Sequence, residues 1–186
     1  DLNLSKNLAK KKIKEDLIIA NNVLAHIPDL KDFINSSISL LKNEGILSIE
    51  FPHLLNLIKK KQFDTIYDEH YYYFSHISIQ KIFNNYGMTI FDVDELKTHG
   101  GSLRIYVKNK NSLKHKVSSK VKKILNKEKN EKLNCVAGYK NFQRNINLIK
   151  NNALSFLTNK KKNNKKIIAF GAAHKASTFL NFCKIN

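Results

Sequence analysis

The chain has 186 residues, 42% of them hydrophobic, and a formal net charge of +18. That is enough apolar material for one packed domain with room for part of another, and it excludes a largely disordered chain. No apolar run reaches the length of a membrane span and no secretory signal opens the sequence, so a cytoplasmic setting without membrane contact is expected.

The positive charge is almost all lysine, with only Arg104 and Arg144 as arginines. Its runs (Lys10 to Lys12, Lys59 to Lys61, Lys160 to Lys166) contain no aromatics. Nucleic-acid readers place arginine and aromatics on one stripe, so no specific nucleic-acid partner is expected. Cys135 and Cys183 form neither a disulfide framework nor a zinc pattern.

In chain order, residues 4–14 read as a basic helix. DLIIANNVLAHI (16–27) opens with an apolar run suited to a buried strand. Pro28 and Asp29 then start a helix in which Leu30, Phe33, Ile34, Ile38 and Leu41 recur at helical spacing. Gly45 is placed to end it in a left-handed cap, and ILSIEF (46–51) is a strand. Strand, helix and strand in succession make a βαβ unit, hence an α/β fold with a parallel pair.

A short helix (54–61) comes next, then FDTIYDEHYYYFS (63–75) and a helix over 78–86 that ends at Gly87. MTIFDVDEL (88–96) and SLRIYVKN (102–109) read as antiparallel strands joined through His99, Gly100 and Gly101. Residues 110–162 are helical and lysine-rich. KKIIAFGAAHKASTFLNF (165–182) then reads as strand, glycine turn and helix.

Three places could carry chemistry. Asn21, Asn22 and His26 follow the first strand, and ligands of open α/β sheets lie beyond the carboxyl ends of strands. Tyr67 and His70 stand three apart with Glu69 beside the histidine, an arrangement suited to proton transfer, with Glu69 orienting the imidazole. GAAHK (171–175) offers amide groups at a helix start plus a lysine, which suits phosphate. No metal-ligand spacing is present.

ANNVLAHIPDL, LLKNEGILSIEFPHL, FDTIYDEHYYYFS, THGGSLRIYV and IIAFGAAHKASTFLNF, in this order, resemble the SAM-dependent C-methyltransferases that act on nucleotide-linked keto-deoxysugars. The resemblance runs over 16–107 and 166–185, with a looser helical middle. It implies the later part of a Rossmann-like methyltransferase domain (1–109), a helical connector (110–164) and the start of a second Rossmann-like domain (165–186). A zinc domain and the acidic glycine-rich SAM loop would lie upstream of Asp1, so a fragment is expected, with zinc confined to that missing part.

The family's acid–base set maps onto His26, Tyr67, Glu69 and His70. The resemblance thus implies SAM as cofactor and a keto-sugar nucleotide as substrate. His70 would be the base, Glu69 would hold its tautomer, and Tyr67 and His26 would serve the carbonyl oxygen or a proton relay. Asn21 and Asn22 are the candidate SAM contacts. His99, Ser102, Arg104, Gly171, Lys175, Thr178 and Asn181 are the candidate substrate contacts. Asp68 and His174 depart from the family pattern, which usually has His and a small residue there. A monomer is expected. An O- or N-methyltransferase on the same scaffold and a non-catalytic sugar-nucleotide-binding module are the alternatives.

Overall fold

The computed structural model describes residues 2–171 and 173–185. Helix α1 (Leu2–Lys10) leads into strand β1 (Glu15–Asn21). Helix α2 (Leu30–Leu40) begins where the Asp29 carboxylate accepts the Asp32 amide at 2.8 Å, a side-chain cap of the kind the sequence offered at that point. Strand β2 (Leu41–Pro52) runs parallel to β1, as the βαβ reading requires. Helix α3 (Leu54–Lys59) follows. Helix α4 (His76–Asn85) is held by a capping box between Ser75 and Ser78. Strands β3 (Met88–Leu96) and β4 (Ser102–Asn109) pair antiparallel, and β4 also pairs antiparallel with β2. The sheet order is β1-β2-β4-β3.

Strand β2 is central and buried on both faces: Leu47, Ile49 and Phe51 are fully buried, and Ser48 and Glu50 nearly so. Together with Leu103, Ile105 and Val107 of β4 it forms the middle of the core, closed by Ile34, Ile79 and Phe83 from the helices. Helix α5 (Ser119–Asn130) adds Val121 and Ile124 to that same core. It is pinned to β3 by Lys120 against Asp92 and Asp94 and by Lys127 against Glu95. The region expected to begin a connector therefore completes the first hydrophobic core. Helix α6 (Phe142–Lys162) buries only Ile146, and α7 (His174–Cys183) packs onto the 3-10 turn Phe63–Thr65.

Three readings of the sequence need correction. Gly45 is not a helix cap. Helix α2 passes directly into β2 at Leu41, whose backbone is already extended. A Cβ at Gly45 would come within 2.8 Å of the Leu41 side chain and 2.9 Å of the Glu15 carbonyl, so the residue serves close approach between the strands. Among the described residues strand β1 is an edge rather than a buried strand, with Leu17 and Ile19 exposed. Residues 166–170 form no strand. Among the described residues no strand pairs with them, and an extended segment without a ladder partner gains nothing from its apolar side chains. Ile168 and Phe170 stand in solvent.

Candidate functional site

At the carboxyl ends of β1 and β2 the chain turns sharply. Asn22 takes a left-handed backbone (φ 54°), a conformation that asparagine tolerates better than most residues. Its amide donates to the Glu50 carbonyl at 2.8 Å. The turn leads into a 3-10 segment (Leu24–His26) that buries Leu24 and Ala25 and leaves His26 exposed. The Ala25 carbonyl accepts the Tyr71 amide at 2.8 Å. That bond lays 63–75 across the end of the sheet and brings its polar side chains to His26.

The result is a cleft of about 190 Å³ lined by Asn22, His26, Tyr67 and His70, with Thr65, His99 and Lys175 on its walls. The His26 and His70 rings lie 4.7 Å apart, and the Tyr67 and His70 rings 4.4 Å apart. His70 Nδ1 is 2.7 Å from the Thr65 carbonyl oxygen, and His26 Nδ1 is 3.0 Å from the Glu69 carbonyl oxygen. A carbonyl only accepts, so both imidazoles donate from Nδ1. In its neutral form each therefore carries its lone pair on Nε2. Burial raises the pKa of Tyr67, and the nearby Glu69, Asp64 and Asp68 carboxylates raise it further. The phenol stays protonated and able to donate. The site therefore holds two proton acceptors and one firm donor on neighbouring rings.

Glu69 does not orient His70. The two are consecutive in a tight turn, where the His70 amide donates to the Tyr67 carbonyl at 3.0 Å, and the position beside His70 Nδ1 belongs to the Thr65 main chain. The Glu69 carboxylate instead lies 3.5 Å from His174 Nε2. Thr65 could not be found from side-chain types, because its contribution is a carbonyl.

The substrate-side residues divide. His99 (φ 50°), Gly100 (φ 80°) and Gly101 (φ 122°) form the turn between β3 and β4, and His99 reaches the cleft. Their positive φ values are what favours glycine at both positions, since L side chains rarely adopt them. A Cβ on Gly101 would sit 2.4 Å from the Asn56 amide nitrogen, and one on Gly100 would sit 2.0 Å from that of Gln62. Ser102 is fully buried and its hydroxyl donates to the Thr98 carbonyl at 3.1 Å. Arg104 is engaged by Glu50 at 2.7 Å, and Thr98 donates to the other oxygen of the same carboxylate at 2.9 Å. Ser102 and Arg104 thus brace the turn and do not line the cleft.

Gly171 has φ 96° with open space around it, so its freedom serves the turn rather than close packing. Lys175 lines the cleft from α7. Thr178 donates back to the His174 carbonyl at 3.0 Å, and Asn181 is exposed on the same helix. Asn21 is exposed at the end of β1, in register with Glu50. Among the described residues no group of three or more His, Cys, Asp or Glu could hold a metal ion. No helix among them is long and apolar enough to cross a membrane.

Comparison with known proteins meets this geometry from outside. Residues 97–186 match the C-methyltransferase C-terminal domain family, and residues 3–93 match the methyltransferase domain family. The chain is 29% identical over 167 residues to C-methyltransferase NovU of Streptomyces niveus, covering 90% of this chain and 40% of that protein. It thus spans well under half the length of that relative. Among solved structures, it is similar to the magnesium protoporphyrin IX methyltransferase of Synechocystis PCC 6803 with bound SAH. That likeness has 23% identity and a TM-score of 0.40, over 54% of this chain and 47% of that one. Between them the two matches span nearly the whole chain, which is thus similar to a methyltransferase domain over 3–93 and to a C-methyltransferase C-terminal domain over 97–186.

Proposed function

We propose that this chain carries the proton-moving part of an enzyme that methylates a carbon beside the ketone of a nucleotide-linked deoxysugar. The observation that carries the reading is the shared cleft: two imidazoles with Nδ1 tied to main-chain carbonyls, and a phenol kept protonated, on rings 4.4 to 4.7 Å apart. Such a carbon becomes nucleophilic only after losing a proton. His70 Nε2 takes that proton, and the bond's electron pair shifts onto the carbonyl oxygen. Tyr67 donates its O–H to the developing oxyanion. His26, through its own Nε2 lone pair, accepts the proton from His70 and passes it to solvent, so that the two close rings do not carry charge together.

The cofactor implied is SAM, which supplies an electrophilic methyl group when bound. The residues at the end of β1 fit it. Asn22 Oδ1 is buried without a hydrogen-bond partner among the described residues, and a buried acceptor of that kind calls for a donor. Asn22, with Asn21 beside it, would hold the cofactor. Lys175 and the amides at the start of α7 face the substrate's diphosphate. The enzyme works in the cytoplasm as a monomer, with nucleic acid no part of its role, and any zinc belongs to a domain outside these residues.

The test is solvent exchange at the reacting carbon. The complete gene product is incubated with the keto-sugar nucleotide in D₂O, and the carbon beside the ketone is followed by NMR. Deuterium should enter that position, and His70→Ala should stop it. Methyl transfer without any exchange or loss of the carbon-bound proton would assign the chain to oxygen or nitrogen methylation instead.

A further inference from the structure

The contact that sequence adjacency did not foresee involves His174. It is the first residue of α7, and its ring stacks on Tyr67 with centroids 5.4 Å apart and planes 20° from parallel. Behind it α7 is fixed in place: Phe63 is buried against Phe179 and Phe182, with centroids at 6.2 and 4.9 Å. Four rings therefore run in sequence across the site, His26, His70, Tyr67 and His174. The last comes from a segment more than a hundred residues away in the chain.

Tyr67 needs that support. Among the described residues its phenol meets no hydrogen-bond partner that would fix the ring. Its neighbours are rings, His70 on one side and His174 on the other. We propose that His174 is a positioning residue: by stacking on Tyr67 it holds the donor phenol at the cleft, so that docking of α7 completes the site. This rests on the role given to Tyr67 above. The stack carries the effect. The His174–Glu69 contact, at 3.5 Å between side chains 63% and 53% exposed, is a solvent-exposed polar contact of the kind that adds little.

The experiment separates ring from charge. In the complete gene product, His174→Ala should lower kcat about fivefold, the scale of one aromatic pair, with KM for SAM unchanged. His174→Phe keeps the ring and should restore kcat to within about twofold of the parent, while His174→Gln, which keeps a polar partner for Glu69 without a ring, should behave like Ala. In the chain itself, the aromatic proton resonances of Tyr67 should lose their ring-current shift in His174→Ala and keep most of it in His174→Phe. A parent enzyme that transfers methyl groups while His174→Ala matches its kcat overturns the inference. So does a Phe variant no better than Ala, or a Tyr67 resonance that does not move. A parent enzyme that shows no exchange or transfer overturns the proposed function itself, which the resonance measurement does not depend on.

Discussion

The fold holds two histidine clusters, and they are built in opposite ways. In the cleft, His26 and His70 each give Nδ1 to a main-chain carbonyl and keep Nε2 over. Among the described residues no carboxylate holds either ring. Under the sheet, His53 and His76 are sealed from solvent together with Glu128 of α5. Glu128 Oε1 accepts from His53 Nε2 at 2.7 Å and from the His76 amide at 2.6 Å, and Oε2 accepts from the Ile77 amide at 2.8 Å. This carboxylate caps α4 from a distant helix and neutralises the positive end of its dipole. The same residue types line an accessible cleft in one place and form a structural clamp around a saturated carboxylate in the other. Accessibility separates them: His53 Nδ1 and both ring nitrogens of His76 are also without a partner among the described residues, but they are sealed from solvent.

The largest expected effect tests the cleft half of that contrast. His70→Ala in the complete gene product should lower methyl transfer by about a thousandfold, about 4 kcal/mol on the barrier, while SAM still binds. Its effect on folding should stay near 1 kcal/mol or below, since only one hydrogen bond to a main-chain carbonyl is lost. Steady-state rates and a urea titration on the same variant measure both. A variant that loses folding stability and activity in proportion would make His70 another clamp.

Glu128→Ala tests the other half. It removes the acceptor of three buried donors and leaves His53 and the first amides of α4 without partners. The expected cost is about 3 kcal/mol in unfolding free energy, read from urea denaturation of this chain. In variants that remain folded, the cleft should keep its geometry, because Glu128 touches none of its lining. A change below about 0.5 kcal/mol would show that water replaces the carboxylate, and the clamp would lose its meaning.

How much of this was legible in the sequence follows the same division. The βαβ unit and the β3–β4 pair were readable because their periodicities are local: apolar residues at helical spacing in 30–41, alternation in 102–109. Spacing pairs Tyr67 and His70, and only the resemblance joins His26 to them; the fold places the three rings side by side. Their partners were not legible, because Thr65 and Glu69 contribute carbonyl oxygens, which every residue has. Glu69 misled by adjacency, since neighbours in a tight turn point apart. Glu128 lies in KEKNEK (127–132), which reads as a solvated stretch. Its burial comes wholly from where α5 lands on β3 and α4. Gly45 and 166–170 were misread for a related reason: helix cap against strand crossing, and strand against bare extended chain, are decided by what lies alongside.

The smallest expected effect concerns His76, and it separates the two clusters by pH. Burial drives the pKa of His76 down from its ordinary 6.5 to about 4; the nearby Glu128 carboxylate opposes the shift and His53 adds to it. Neither ring nitrogen of His76 has a partner among the described residues, so nothing favours the charged form enough to offset desolvation. Because the folded pKa lies below the unfolded one, the unfolded chain binds the proton more tightly. His76 therefore adds no penalty above about pH 6.5. Stability falls as pH drops from there toward 4, and this group takes nothing further below that. Linkage over that interval puts the loss at about 2 kcal/mol by pH 5. His76→Leu, which keeps the site apolar, should flatten that limb in a series of urea titrations between pH 7 and pH 4. His26→Leu, from the open cleft, should leave the limb in place. A limb that survives His76→Leu unchanged would mean that acid opens the fold elsewhere, and the sealed cluster would not be the part that water has to enter.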